Sequence, residues 1–507
     1  ILSRLVGSEM CIRDRNQRPL NATLARQYDG TTTAAGSDLS SFDALQGGET
    51  LTMTGSGTAA SANVANGIAM SSNGTLALAD GTGLASNYSL NSTVINIAQR
   101  VLNSSGSKTY DANTDALAGA ITLSNLVSGE ALNHSGTATI SSANAGSYTI
   151  TNLSGISIAD GSGGTASNYT LTGGTHNFTV NRRAVSVSGT RLYDATTNAV
   201  ASDLSTHANL VGSETLNLSG TGTIASKNVG SNKTVSVGTL ALADGSNGGL
   251  AANYTLSGGT HQLTVNQRPL NATLARQYDG TTTAAGSDLS SFDALQGGET
   301  LTMTGSGTAA SANVANGIAM SSNGTLALAD GTGLASNYSL NSTVINIAQR
   351  VLNSSGSKTY DANTDALAGA ITLSNLVSGE ALNHSGTATI SSANAGSYTI
   401  TNLSGISIAD GSGGTASNYT LTGGTHNFTV NRRAVSVSGT RLYDATTNAV
   451  ASDLSTHANL VGSETLNLSG TGTIASKDVG SNKTVSVGTL ALGNGSNGGL
   501  AGNYTLS

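Results

Sequence analysis

A Tyr-Asp-Gly triplet at Tyr28-Asp29-Gly30 returns through the chain, and its spacing constrains the fold more than any other feature. Tyr-Asp-Gly or Tyr-Asp-Ala recurs at Tyr110-Asp111, Tyr193-Asp194, Tyr278-Asp279-Gly280, Tyr360-Asp361 and Tyr443-Asp444, at intervals of 82, 83, 85, 82 and 83 residues. Ten residues before each tyrosine stands an arginine: Arg18, Arg100, Arg183, Arg268, Arg350 and Arg433. An Asn-Tyr pair follows 58 to 60 residues later, at Asn87-Tyr88, Asn168-Tyr169, Asn253-Tyr254, Asn337-Tyr338, Asn418-Tyr419 and Asn503-Tyr504. Self-similarity at a fixed period is the signature of a repeat architecture. The repeat divides the chain into modules at 18–99, 100–182, 183–267, 268–349, 350–432 and 433–507, the last truncated before its closing strand.

The repeat has a second level. Residues 16–257 return at 266–507 with an offset of 250 and four differences, Asn228/Asp478, Ala243/Gly493, Asp244/Asn494 and Ala252/Gly502. Identical modules are therefore never adjacent, which lowers the risk of misassembly between neighbours. Residues 1–15 fall outside the pattern and hold the single cysteine, Cys11. They resemble translated sequencing-adapter read-through and are set aside from fold reasoning.

Within a module the apolar residues alternate with period two, the pattern of half-buried strands. Leu20, Ala22 and Leu24 do so after Arg18, as do Leu51 and Met53, Leu76 and Leu78, and Ile95 and Ile97. Sixty-five glycines and only two prolines in a chain rich in Ser, Thr and Asn imply many turns. No helical stripe persists over three turns. The expected fold is all-β: six small antiparallel Ig-like β-sandwich modules of five to seven strands, in tandem, forming an elongated rod. Each is expected to be a bead with its own thin core, since Trp is absent and aromatics are 4%. A β-helix or other solenoid is the alternative, although solenoid coils are shorter than this repeat.

Charged residues are only 10% and the net charge is −7, which argues against nucleic-acid binding by the whole chain. No apolar run is long enough for a membrane-spanning helix. No catalytic set recurs: His134 and His207 lack counterparts in the first module, and no metalloprotease or nucleophile-elbow motif occurs. The histidines read as exposed strand residues. Each Tyr-Asp aspartate reads as a turn cap accepting nearby N–H groups, with Gly30 and Gly280 supplying positive φ. The tyrosines of both motifs read as core-edge anchors whose hydroxyls find partners. The Asp-Gly pairs at 80–81, 160–161 and 244–245 raise Ca2+ as the one candidate cofactor. A lone carboxylate falls short of a Ca2+ loop, however, and Asn494 replaces it in the last module, so no cofactor is expected.

The triplets YDGTT, YDANT and YDATT, with LADG and ASNY downstream, resemble the YDG repeats of filamentous-haemagglutinin-like adhesins of Gram-negative bacteria. The resemblance covers residues 18–507. It implies a fragment of a large surface-exposed or secreted protein, exported through an outer-membrane partner pore, in which the modules form a non-catalytic stalk for adhesion or biofilm. The implied partner of the whole protein is a host-cell or matrix surface ligand. A repeated weak glycan-binding array, or a spacer on a secreted enzyme, are the alternatives.

Overall fold

In a computed structural model, residues 14–507 are described; Cys11 and all but the last two residues of the 1–15 segment lie outside them. The described residues contain strands and short 3-10 turns and no α-helix. The chain divides into two units. One runs through Arg191 and includes Thr197–Val265, and the other comprises Leu192–Thr196 and Asn266–Ser507.

The first module shows the plan. Its strands are β1 (Arg18–Gln27), β2 (Thr33–Ala35), β3 (Leu39–Phe42), β4 (Leu51–Thr54), β5 (Ser56–Ala59), β6 (Ala65–Ser72), β7 (Ala77–Asp80) and β8 (Tyr88–Ala98). Six form a sheet in the order β2-β5-β6-β8-β1-β3, and β4 pairs with β7 apart from it. Leu20, Ala22, Leu24, Ile95 and Ile97 of the adjacent strands β1 and β8 are all buried: Ala22, Leu24, Ile95 and Ile97 share one core, and Leu20 packs with Leu51 and Tyr88 in a smaller cluster. The strand count exceeds the expected five to seven because β2 and β5, built of Thr, Ala, Ser and Gly, carry almost no apolar signal.

The tandem array of six all-β modules agrees with the sequence reading, but the sheet is not wholly antiparallel. β1 and β8 run parallel, from Arg18 opposite Tyr88 to Gln27 opposite Ala98. The same parallel pairing joins Asn103–Thr109 to His176–Asn181 in the second module and Arg268–Gln277 to Tyr338–Ala348 in the fourth. Parallel neighbours need a long crossover, and here the rest of the module supplies it. Alternation of apolar residues is the same in both orientations, so it could not reveal this.

The expectation of self-contained beads also fails. The buried cluster around Leu24, Tyr28, Met53, Ile95 and Ile97 is closed by Leu102 and Tyr169 of the second module. Leu352 and Tyr419 close the fourth module's core in the same way, and Val435, Leu466 and Tyr504 join that of the fifth. A small core with so few aromatics gains a further large side chain by borrowing one from the next module.

Candidate functional site: a tyrosine–glutamate joint

The recurring residues meet where one module abuts the next. Tyr28 leaves β1 with its N–H donating to the Ala98 carbonyl at 2.9 Å, which anchors it beside the end of β8. Its hydroxyl donates to Oε1 of Glu130, 2.6 Å away in the second module. The Tyr169 hydroxyl donates to the other oxygen, Oε2, at 2.7 Å and accepts from the Val127 N–H at 3.0 Å. The two rings stand edge to face with centroids 5.4 Å apart, a favourable arrangement of their quadrupoles. Arg100 donates through Nη1 to the Tyr28 carbonyl and through Nη2 to Asn125 Oδ1. Buried Asn168 accepts from the Val64 N–H at 2.9 Å and donates to Asn63 Oδ1 at 2.9 Å, both in the preceding module.

The same trio recurs as Tyr110, Glu214 and Tyr254. In the second unit it recurs as Tyr193, Glu299 and Tyr338, as Tyr278, Glu380 and Tyr419, and as Tyr360, Glu464 and Tyr504. Asn253 repeats the asparagine clamp on Ala145 and Asn144. Tyr88 donates to Glu49 of its own module at 2.6 Å. Tyr443, which no further module in this sequence follows, is 59% exposed, whereas its five counterparts are 0–5% exposed.

Each aspartate of the triplets closes its own turn. Asp29 Oδ1 accepts the Thr31 N–H at 2.9 Å, and Asp111, Asp194, Asp279, Asp361 and Asp444 each accept the N–H two residues on. Gly30 and Gly280 have φ of 80° and 79°, and alanine takes the same left-handed conformation at 112, 195, 362 and 445. The aspartate of each Asp-Gly pair caps a 3-10 turn: Asp80, Asp160 and Asp244 accept the N–H of Ala85, Ala166 and Ala251 at 2.7 Å. Asn494 accepts that of Ala501 at 2.8 Å, so an amide oxygen performs the same task. Among the described residues no group of three or more His, Cys, Asp or Glu is placed to hold a metal ion.

Two sets of residues escaped the sequence reading. One is the glutamate of the joint, the partner of both tyrosines. The other is a cation two residues before each tyrosine: Arg26, Lys108, Arg276, Lys358 and Arg441 pair with the triplet aspartate, and Arg191 contacts Asp203. Recurrence in all six modules was the available signal for both. The histidines correct the expectation of exposure. His261 is buried between the Val187 N–H and the Leu256 carbonyl, His176 lies between Ser104 and the Leu171 carbonyl, and His134 reaches the Ala118 and Ile121 carbonyls.

Burial, followed by the glutamate hydrogen bond, pushes the Tyr110, Tyr254, Tyr360 and Tyr419 hydroxyls up to about 12. Burial raises Tyr169 and Tyr338 to the same value, partly offset by the backbone N–H each accepts. A tyrosine whose pKa is higher folded than unfolded favours the neutral form in the fold. Its stabilisation is present below the ordinary value near 10 and is lost as pH rises from there through about 12. The melting temperature should therefore hold to about pH 9 and fall steeply between about pH 10 and 12. A flat profile across that window, measured by circular dichroism, would contradict the joint.

Six consecutive stretches, 16–95, 98–177, 177–263, 261–345, 348–427 and 425–507, match the family described as YDG domain. No curated protein matches the chain. Among solved structures it is similar to the Bacillus anthracis TIE protein at 8% identity, over 77% of this chain and 74% of that one, with a TM-score of 0.15.

Proposed function

From the premise that this chain belongs to the YDG domain family, six times over, we propose that it is the non-catalytic spacer of a large adhesin. On this reading the parent protein is surface-exposed or secreted by a Gram-negative bacterium, leaves through an outer-membrane partner, and uses the modules to hold an adhesive region away from the cell. Its mechanism is geometric, with reach set by module number. The observation that carries the reading is the joint: the tyrosines, glutamates and asparagines that recur are spent on fastening modules together. The buried tyrosines present no faces on which a sugar ring could stack.

Adding a further 250-residue period to the chain tests this. Small-angle scattering should show the largest dimension growing in proportion to the modules added, with no saturable binding on a glycan panel. Growth as the cube root of mass, or saturable glycan binding, would refute the spacer.

A further inference from the structure

The spacer reading leaves open what the modules do under tension, and the strand topology bears on it. In β1 and β8 the chain enters a module at Arg18 and leaves it at Ala98, and the parallel register places these residues at opposite ends of one ladder. Tension along the backbone then draws β1 toward its start and β8 toward its end, sliding the strands past each other. Every bond of the ladder bears load at once. An antiparallel terminal pair with both chain ends at one edge would open bond by bond. We propose that this terminal ladder is a force-bearing clamp and that the modules bear load as well as set length, an inference that rests on the spacer reading.

Two further features resist sliding. Ala22 and Leu24 face the same core as Ile95 and Ile97, Leu20 is buried beside Leu51 and Tyr88, and a slip of one residue would turn each set out of its cluster. The register also shifts between Leu20 and Asn21, and at that bulge Asn21 Oδ1 accepts from both Asn91 Nδ2 at 2.9 Å and Ser92 Oγ at 2.6 Å. Asn21 in turn donates to Asp43 Oδ2 at 2.6 Å, next to β3. This pin ties β1 to β8 at one register, and Asn271, Asn341, Ser342 and Asp293 repeat it in the fourth module.

The clamps are graded. The first and fourth modules have ladders of ten residue pairs. The second and fifth have ladders of six pairs, preceded by a separate pair of two. In the sixth, Arg433–Val435 pairs with Tyr504–Leu506 over three. The chain should therefore yield under tension in the order sixth, then second and fifth, with the first and fourth among the last, because forced unfolding is set by the barrier rather than by equilibrium stability.

Single-molecule force spectroscopy on the full chain, pulled by its ends, tests the clamp against the same chain pulled across the first module. For the second geometry the handles sit on cysteines introduced as Asn16→Cys and Ser86→Cys, with Cys11→Ser removing the single native thiol. Residues 16 and 86 are exposed and lie at the same end of the ladder, so the first module is peeled rather than sheared. The expected result is a severalfold fall in its rupture force between the two geometries. Equal forces would overturn the clamp and leave the spacer intact. Saturable glycan binding would overturn the spacer without touching the force comparison.

Discussion

Replacing Tyr169 by alanine is expected to destabilise the module before its own. The ring is 1% exposed, closes the core that holds Leu24, Ile95 and Ile97, and stands edge to face with Tyr28. Emptying a buried aromatic site costs about 3–5 kcal/mol. The lost hydroxyl also leaves Glu130 Oε2 and the Val127 N–H without their partner. Hydrogen exchange should show protection falling in β1 and β8, some seventy residues or more away in sequence from the substitution. The two 250-residue periods yield almost the same peptides, so Tyr169→Ala and Tyr419→Ala should be made together. Tyr169→Phe keeps the ring and loses only the hydroxyl, so a smaller effect of about 1–2 kcal/mol is expected. Loss of protection confined to the second and fifth modules would mean that the cores are not shared.

A larger effect is expected at Gly136. In the second module one strand, Leu132–Ile140, serves two sheets: Leu132–Gly136 pairs with Ile156–Asp160, and Thr137–Thr139 pairs with Asp115–Leu117. Gly136 is the corner, with φ of 102°, and a Cβ there would lie 1.9 Å from the Gly155 carbonyl oxygen. Backbone strain of this kind costs about 1–3 kcal/mol before the collision with a backbone atom is counted. Gly55 and Gly220 occupy the same corner in their modules, meeting the carbonyls of Thr75 and Thr239 at 2.0 and 2.2 Å. Gly136→Ala with Gly386→Ala should therefore remove the second and fifth modules from the cooperative melt. Gly119→Ala with Gly369→Ala, where an added Cβ meets nothing within 4 Å, should change the stability by less than about 0.5 kcal/mol. If both pairs melted alike, the corner would carry no strain.

The corner is also invisible to alignment by motif. The Ser-Gly-Thr segments at 56–58, 135–137 and 219–221 look equivalent in sequence. In the first module, however, Gly55 makes the turn with φ of 80°, while Gly57 lies inside β5. Small residues such as these carry no apolar period, so only backbone geometry separates them.

The spacing of the triplets, the period-two alternation and the turn residues were enough to establish six all-β modules. These are local properties: side chains alternate across a strand whatever lies beside it, and an Asp two residues before an N–H can close a turn unaided. Tyr28, Tyr88 and their repeats were legible as core-edge anchors, and all but Tyr443 are buried. What only the tertiary structure decided is which groups answer them. Tyr28 and Glu130 are 102 residues apart and belong to different modules, and no periodicity pairs a hydroxyl with a carboxylate at that distance. The parallel ladder of β1 and β8, on which the response to tension depends, was hidden likewise, because strand direction is set by where the chain returns and not by what the strand is made of.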